Sequence, residues 1–218
     1  MAEAAVLTTT TTITTEGVDL DGDLALPPHT RGVVLFAHGS GSSRRSPRNR
    51  LVAEALNRHG LATLLVDLLT ADEEVRDART RDLRFDVGML ADRLAGIVDW
   101  LGGEPETAGL AVGLFGASTG AAAALVAAAG RPGHIGAVVC RGGRPDLAGP
   151  ALIQVPAPTL MLVGELDRPV RELNEQARNA MTVRAELRIV PGATHLFEEP
   201  GALDLVAEEA AAWFTTYL

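Results

Sequence analysis

The sequence predicts an α/β fold in which one mostly parallel sheet carries helices on both faces. Three observations predict it: apolar runs of strand length recur along the chain, helix-like stretches separate them, and only the opening segment alternates apolar with polar residues. With 218 residues, 47% of them hydrophobic, the chain can bury one large core, so a single domain over residues 1–218 is expected.

Val6 to Thr15 is Thr-rich and β-prone, and Val18 to Leu26 places Val18, Leu20, Leu24 and Leu26 at alternating positions. Together they read as an antiparallel hairpin at a sheet edge, closed by Pro27-Pro28. Arg31 to Gly39 is a buried strand with a Ser40-Gly41-Ser42-Ser43 loop behind it. Arg44 to Arg50 is a basic run that reads mainly as a solvated face, with an electropositive rim at the pocket mouth as the alternative, and with Pro47 at the first position of a helix reaching His59-Gly60. Leu61 to Leu69 is the next strand. Ala71 to Arg84, dense in charge of both signs, reads as an exposed loop or frayed helix that could serve as a flap. Phe85 to Leu101 carries a helical apolar stripe. Strands follow at Leu110–Phe115, Ile135–Cys140, Pro158–Gly164 and Ala185–Val190, with helices over Ala121–Ala129, Val170–Met181 and Gly201–Leu218.

One stretch organises the chemistry. Gly116-Ala117-Ser118-Thr119-Gly120 spells G-x-S-x-G between an apolar strand and an Ala-rich helix, the context of a nucleophile elbow. Its glycines let strand and helix backbones approach where a Cβ would clash. The alternative is a serine that only caps a buried helix. What separates the two is an acid and a histidine placed to serve the serine. Ser118, Asp167 and His195 each follow a strand, so all three emerge at one sheet edge, in the chain order Ser, Asp, His. His195 would be the general base and Asp167 would orient it. The N–H groups of Ser40 and Thr119 would hold the oxyanion, with Gly39 allowing close approach. Asp146 is the reserve acid and Glu165 a weaker one. Arg141 and Arg144, after the Ile135 strand, either brace their loop or clamp an anionic substrate, and Phe197 is a further substrate-contact candidate.

Composition excludes several classes. A net charge of −9 argues against general nucleic-acid binding. All 19 basic residues are Arg, which rules out Schiff-base and P-loop lysine chemistry. The single cysteine, Cys140, excludes a disulfide framework and a Cys-rich metal site, and its place in a buried strand suits an inert thiol. Met1 to Leu7 has neither basic residues nor a long apolar core, so no secretory signal is expected there, and no run is long enough to span a bilayer. A cytoplasmic protein with no membrane or nucleic-acid partner follows as the expectation, with a homodimer left open.

The chain resembles the α/β-hydrolases, and within them the small, cap-less dienelactone hydrolase family. The resemblance rests on His38-Gly39-Ser40-Gly41-Ser42, Gly116-Ala117-Ser118-Thr119-Gly120, Arg141-Gly142-Gly143-Arg144-Pro145-Asp146-Leu147, Gly164-Glu165-Leu166-Asp167 and Gly192-Ala193-Thr194-His195-Leu196-Phe197. It implies an eight-stranded sheet whose first hairpin is antiparallel, and hydrolysis of esters or lactones with neither cofactor nor metal. One departure is that dienelactone hydrolases carry cysteine at the elbow, where this chain has Ser118. A serine nucleophile favours ordinary carboxylic esters. The short link from Cys140 to Pro158 leaves no room for a cap domain, so small acyl esters in an open, shallow pocket are expected. The competing expectations are an enol-lactone hydrolase or thioesterase acting on an anionic substrate, and a non-catalytic binding protein on the same fold.

Overall fold

The computed structural model describes residues 5–218, so the first four residues of the Met1–Leu7 reading lie outside the described residues. Eight strands form one sheet: β1 (Leu7–Thr15), β2 (Val18–Leu26), β3 (Gly32–Ala37), β4 (Leu61–Val66), β5 (Ala111–Ala117), β6 (Ile135–Arg141), β7 (Thr159–Gly164) and β8 (Ala185–Val190). Their order is β1-β2-β4-β3-β5-β6-β7-β8. The β1–β2 and β2–β4 pairings are antiparallel, and every pairing from β4 through β8 is parallel. Glu16 and Gly17 close the opening hairpin with φ of 46° and 74°, the double positive φ of a two-residue turn that matches strand twist.

Six helices cover the faces: α1 (Pro47–Arg58), α2 (Ala71–Thr80), α3 (Val87–Gly103), α4 (Thr119–Gly130), α5 (Arg168–Ala180) and α6 (Ala202–Tyr217). The central strands β3 and β4 are buried on both faces, which is why they read as unbroken apolar runs. Their residues alternate between two cores. Leu35, Leu64 and Leu114 face α3 and α4, while Phe36, Leu65 and Phe115 face α1 and α6. In α4, Ala121 to Leu125 is fully buried, because alanine lets a helix lie close against the sheet.

The expected elements are all present, with shifted ends. β5 runs from Ala111 to Ala117, later than the expected Leu110–Phe115, and β4 stops at Val66. Of the charged stretch over 71–84, read as an exposed loop or frayed helix, Ala71–Thr80 forms a regular helix that Arg81 ends with a positive φ of 58°. Thr70 accepts from the Glu73 N–H at 3.3 Å and Glu73 Oε2 accepts from the Thr70 N–H at 2.8 Å, a reciprocal capping box. Arg93 of α3 then holds Glu73 through two bonds of 2.7 Å and also donates to the Leu68 carbonyl at 2.7 Å. Among the described residues no helix is long and apolar enough to cross a membrane.

The topology creates the site. β3 sits between β4 and β5, so the chain leaves β3 toward one side and β5 toward the other. The helices that follow, α1 and α4, lie on opposite faces, and the loops between them part to leave a crevice at the carboxyl ends of β3 and β5.

Candidate active site

Ser118 stands at the lip of that crevice, between β5 and α4. Its backbone is at φ 51° and ψ −120°, a conformation an L-residue adopts only when the surrounding structure enforces it. Two glycines do the enforcing. A Cβ on Gly116 would fall 2.4 Å from Ala121 Cα, and one on Gly120 would fall 2.3 Å from the Ala37 carbonyl oxygen. The Ser118 side chain makes no cap bond to α4, so the serine is not simply a helix cap. Its backbone is tied to the neighbouring loop instead: Ser118 N–H donates to the Arg141 carbonyl at 3.1 Å, and Arg144 N–H donates to the Ser118 carbonyl at 3.1 Å.

Asp167 and His195 arrive from the loops after β7 and β8. Asp167 Oδ2 and His195 Nδ1 are 2.6 Å apart, a short charge-assisted contact on a largely buried carboxylate. The two loops are locked together, with Leu166 N–H donating to the Ala193 carbonyl at 2.9 Å and Gly192 N–H donating to Glu165 Oε2 at 2.7 Å. Glu165 is thereby committed away from His195, and Asp146 is committed to Arg144 through bonds of 2.7 and 2.8 Å. Of the three acids considered from sequence, only Asp167 meets the histidine. The His195 ring lies over Gly142, where a Cβ would sit 3.4 Å from His195 Cε1, so it faces the loop that also holds Ser118. No hydrogen bond joins the Ser118 hydroxyl to His195 among the described residues.

The loop after β3 closes the other side. A Cβ on Gly39 would be 3.0 Å from Ser118 Cβ, so only glycine admits the approach. The Ser40 N–H donates to Thr119 Oγ1 at 3.0 Å. That departs from the expectation of a free Ser40 donor. His38, which the sequence places only in the motif ahead of the Ser40 loop, is buried, with Nδ1 3.0 Å from the Gly39 carbonyl and Nε2 accepting the Leu68 N–H at 3.0 Å. Burial pushes its pKa below the ordinary imidazole value, against smaller opposing effects of Gly39, Asp67 and Glu74. A histidine closing an apolar strand just before a Gly/Ser loop was the available signal.

The basic run over 44–50 is less solvated than expected. Arg44 is mostly buried and pairs with Asp67, Asp21 and Asp23, while Arg50 pairs with Asp23 at 3.2 Å, clamping the loop to the hairpin. A cavity of about 600 Å³ opens beyond the loop, between Ser40, Ser42 and Thr119 on one side and Leu68, Leu90 and Arg84 on the other. Arg84 is neutralised by Asp77 at 2.5 Å.

The remaining candidates divide. Arg144 is a brace, held by Asp146. Phe197, expected at the substrate, is 2% exposed and packs in the α1/α6 core, which gives it a structural role. Arg141 is 9% exposed, stacks 6.0 Å from the Phe115 ring, and leaves a buried Nη1 without a hydrogen-bond partner among the described residues. Burial and the nearby Arg48 charge push it down to about 10. Cys140 is buried and its thiol is pushed up to about 12, so it is inert at neutral pH.

The sequence profile of the Dienelactone hydrolase family matches residues 20–216. The chain belongs to the dienelactone hydrolase family. The crystal structure of a dienelactone hydrolase from Anabaena variabilis is 57% identical, with a TM-score of 0.96 and 98% of this chain and 99% of that one covered. Est1E from Butyrivibrio proteoclasticus shares the fold at 18% identity and a TM-score of 0.79, covering 95% and 98% of the two chains. Curated relatives from Mycobacterium tuberculosis strains, provisionally named phosphoribosyl transferases, are 55% identical over 201 residues. That match spans 92% of this chain but 44% of theirs, so the chain covers less than half their length. As a member of the family the chain has the α/β-hydrolase fold.

Proposed function

We propose that this chain is a serine hydrolase of small carboxylic esters that works through an acyl-enzyme on Ser118. The observation that carries the reading is the strained backbone of Ser118 at the same sheet edge as the 2.6 Å Asp167–His195 pair. Ser118 Oγ attacks the ester carbonyl carbon while His195 Nε2 takes its proton, and Asp167 stabilises the imidazolium. Negative charge gathers on the carbonyl oxygen at the start of α4, where the Thr119 N–H and the helix dipole favour it. The intermediate collapses, His195 returns the proton to the departing alcohol, and a water activated by the same histidine releases the acid. Nucleophile, base and donors are all protein groups, so the reading needs no cofactor. Cleavage of p-nitrophenyl acetate and butyrate, falling off with long acyl chains, is the expected result; an optimum at long chains contradicts it.

The second reading is an anionic substrate, an enol-lactone or thioester bearing a carboxylate. Arg141, whose carbonyl accepts the Ser118 N–H and whose buried Nη1 has no partner among the described residues, favours it, whereas Arg144 is already matched by Asp146. The transferase name of the mycobacterial relatives attaches to proteins more than twice the length of the matched segment.

A further inference from the structure

The Gly39–Ser40 peptide is held at both ends. Its carbonyl accepts the Ser42 N–H at 3.2 Å and faces His38 Nδ1 at 3.0 Å, and its N–H, across the trans peptide plane, donates to Thr119 Oγ1 at 3.0 Å. The backbone donor that the loop offers is therefore already taken by a side chain. Thr119 follows Ser118 in the chain, is 4% exposed, and lines the cavity beyond the Ser40 loop. Its hydroxyl has an accepting role in the bond with Ser40, and no acceptor for its own proton is recorded among the described residues. A buried hydroxyl that accepts from an amide becomes a stronger donor, because successive hydrogen bonds polarise one another. The close approach of Gly120 to the Ala37 and His38 carbonyls fixes the start of α4 against the end of β3, and so fixes the distance between Thr119 and Ser40.

We infer that the Thr119 hydroxyl is itself an oxyanion donor, relaying the Ser40 N–H to the substrate rather than leaving that N–H to act directly. The oxyanion then meets two groups from one residue, the Thr119 N–H and the Thr119 O–H, with Ser40 behind the second. This rests on the proposed Ser118 route and specifies how its intermediate is held. The alternative is that the hydroxyl blocks the Ser40 N–H and must swing away before reaction.

Thr119→Val removes the hydroxyl with little change in shape, and Thr119→Ser keeps it. Both are compared with the parent on p-nitrophenyl butyrate, with thermal melts to establish folding. A trifluoromethyl ketone, which forms a tetrahedral adduct with a serine nucleophile, probes the intermediate directly. The relay predicts that Thr119→Val lowers kcat by about 10²- to 10³-fold with KM within about twofold. It also predicts weaker ketone binding by a similar factor and a Thr119→Ser variant within about tenfold of the parent. Should Thr119→Val not fold, Thr119→Ala makes the same comparison. A hydroxyl-less variant within about tenfold of the parent, or faster than it, overturns the relay. If Ser118→Ala is inactive in the same assay, that outcome removes only the role of Thr119. An active Ser118→Ala variant removes the acyl-enzyme route as well.

Discussion

The Leu68 N–H donates to His38 Nε2 at 3.0 Å, which places the imidazole proton on Nδ1, facing the Gly39 carbonyl at 3.0 Å. His38 is thus held neutral, and it ties the end of β4 to the peptide that carries the Ser40 N–H. Protonation would break the Leu68 bond and charge a buried ring.

The sign of the resulting pH effect follows from linkage. Burial lowers the folded-state pKa of His38, so below about 6.5 the unfolded chain binds a proton that the native state resists. This contribution to stability is complete above that pH and is lost as pH falls through it. Between pH 8 and pH 5.5 the parent should lose more stability than His38→Gln, by up to about 1.4 kcal/mol, as measured by urea unfolding. Parallel pH profiles for the two proteins would show that His38 is not the group responsible.

Arg141 carries an uncompensated charge in the interior, and such groups weaken a fold unless a ligand offsets them. Arg141→Met should therefore leave the melting temperature unchanged or raise it, with a gain of up to about 1 kcal/mol. Under the anionic-substrate reading the same variant raises KM for p-nitrophenyl hydrogen succinate about tenfold or more and leaves p-nitrophenyl butyrate unchanged. Equal effects on both esters would remove Arg141 from substrate recognition.

Gly120 has no room for a methyl group, because the atoms it would meet are the backbone oxygens of Ala37 and His38 at 2.3 and 2.5 Å. Neither oxygen can turn aside as a side chain would. Gly120→Ala should destabilise the protein by about 3 kcal/mol and, by displacing the start of α4, abolish ester hydrolysis. A variant with parental stability and activity would contradict the packing described for the elbow.

Legibility from sequence followed the physics of each signal. β3 and β5 were legible because strands buried on both faces are unbroken apolar runs, and Ser118 because the elbow demands glycine at Gly116 and Gly120. The Asp167–His195 pair was legible from chain order and strand ends alone. The helix over Ala71–Thr80 was legible only as one of two alternatives, a loop or a frayed helix, since its apolar face is thin and its order comes from Thr70, Glu73 and Arg93, polar contacts that hydrophobic periodicity does not report. The Thr70-x-x-Glu73 capping pattern was the readable clue. The division of labour between Arg141 and Arg144 depends on which of them meets Asp146, a matter of loop geometry. Phe197 was misplaced for a related reason: the loop after β8 carries it, at a positive φ of 56°, and its ring packs in the α1/α6 core.

The most direct test of the account is to treat the protein with a fluorophosphonate, locate the adduct by peptide mass, and assay p-nitrophenyl butyrate hydrolysis in parallel with Ser118→Ala. The account predicts one adduct, on Ser118, activity lost in step with labelling, and a Ser118→Ala variant that neither labels nor turns over. An unlabelled parent, an adduct at another residue, or hydrolysis retained by Ser118→Ala would contradict it.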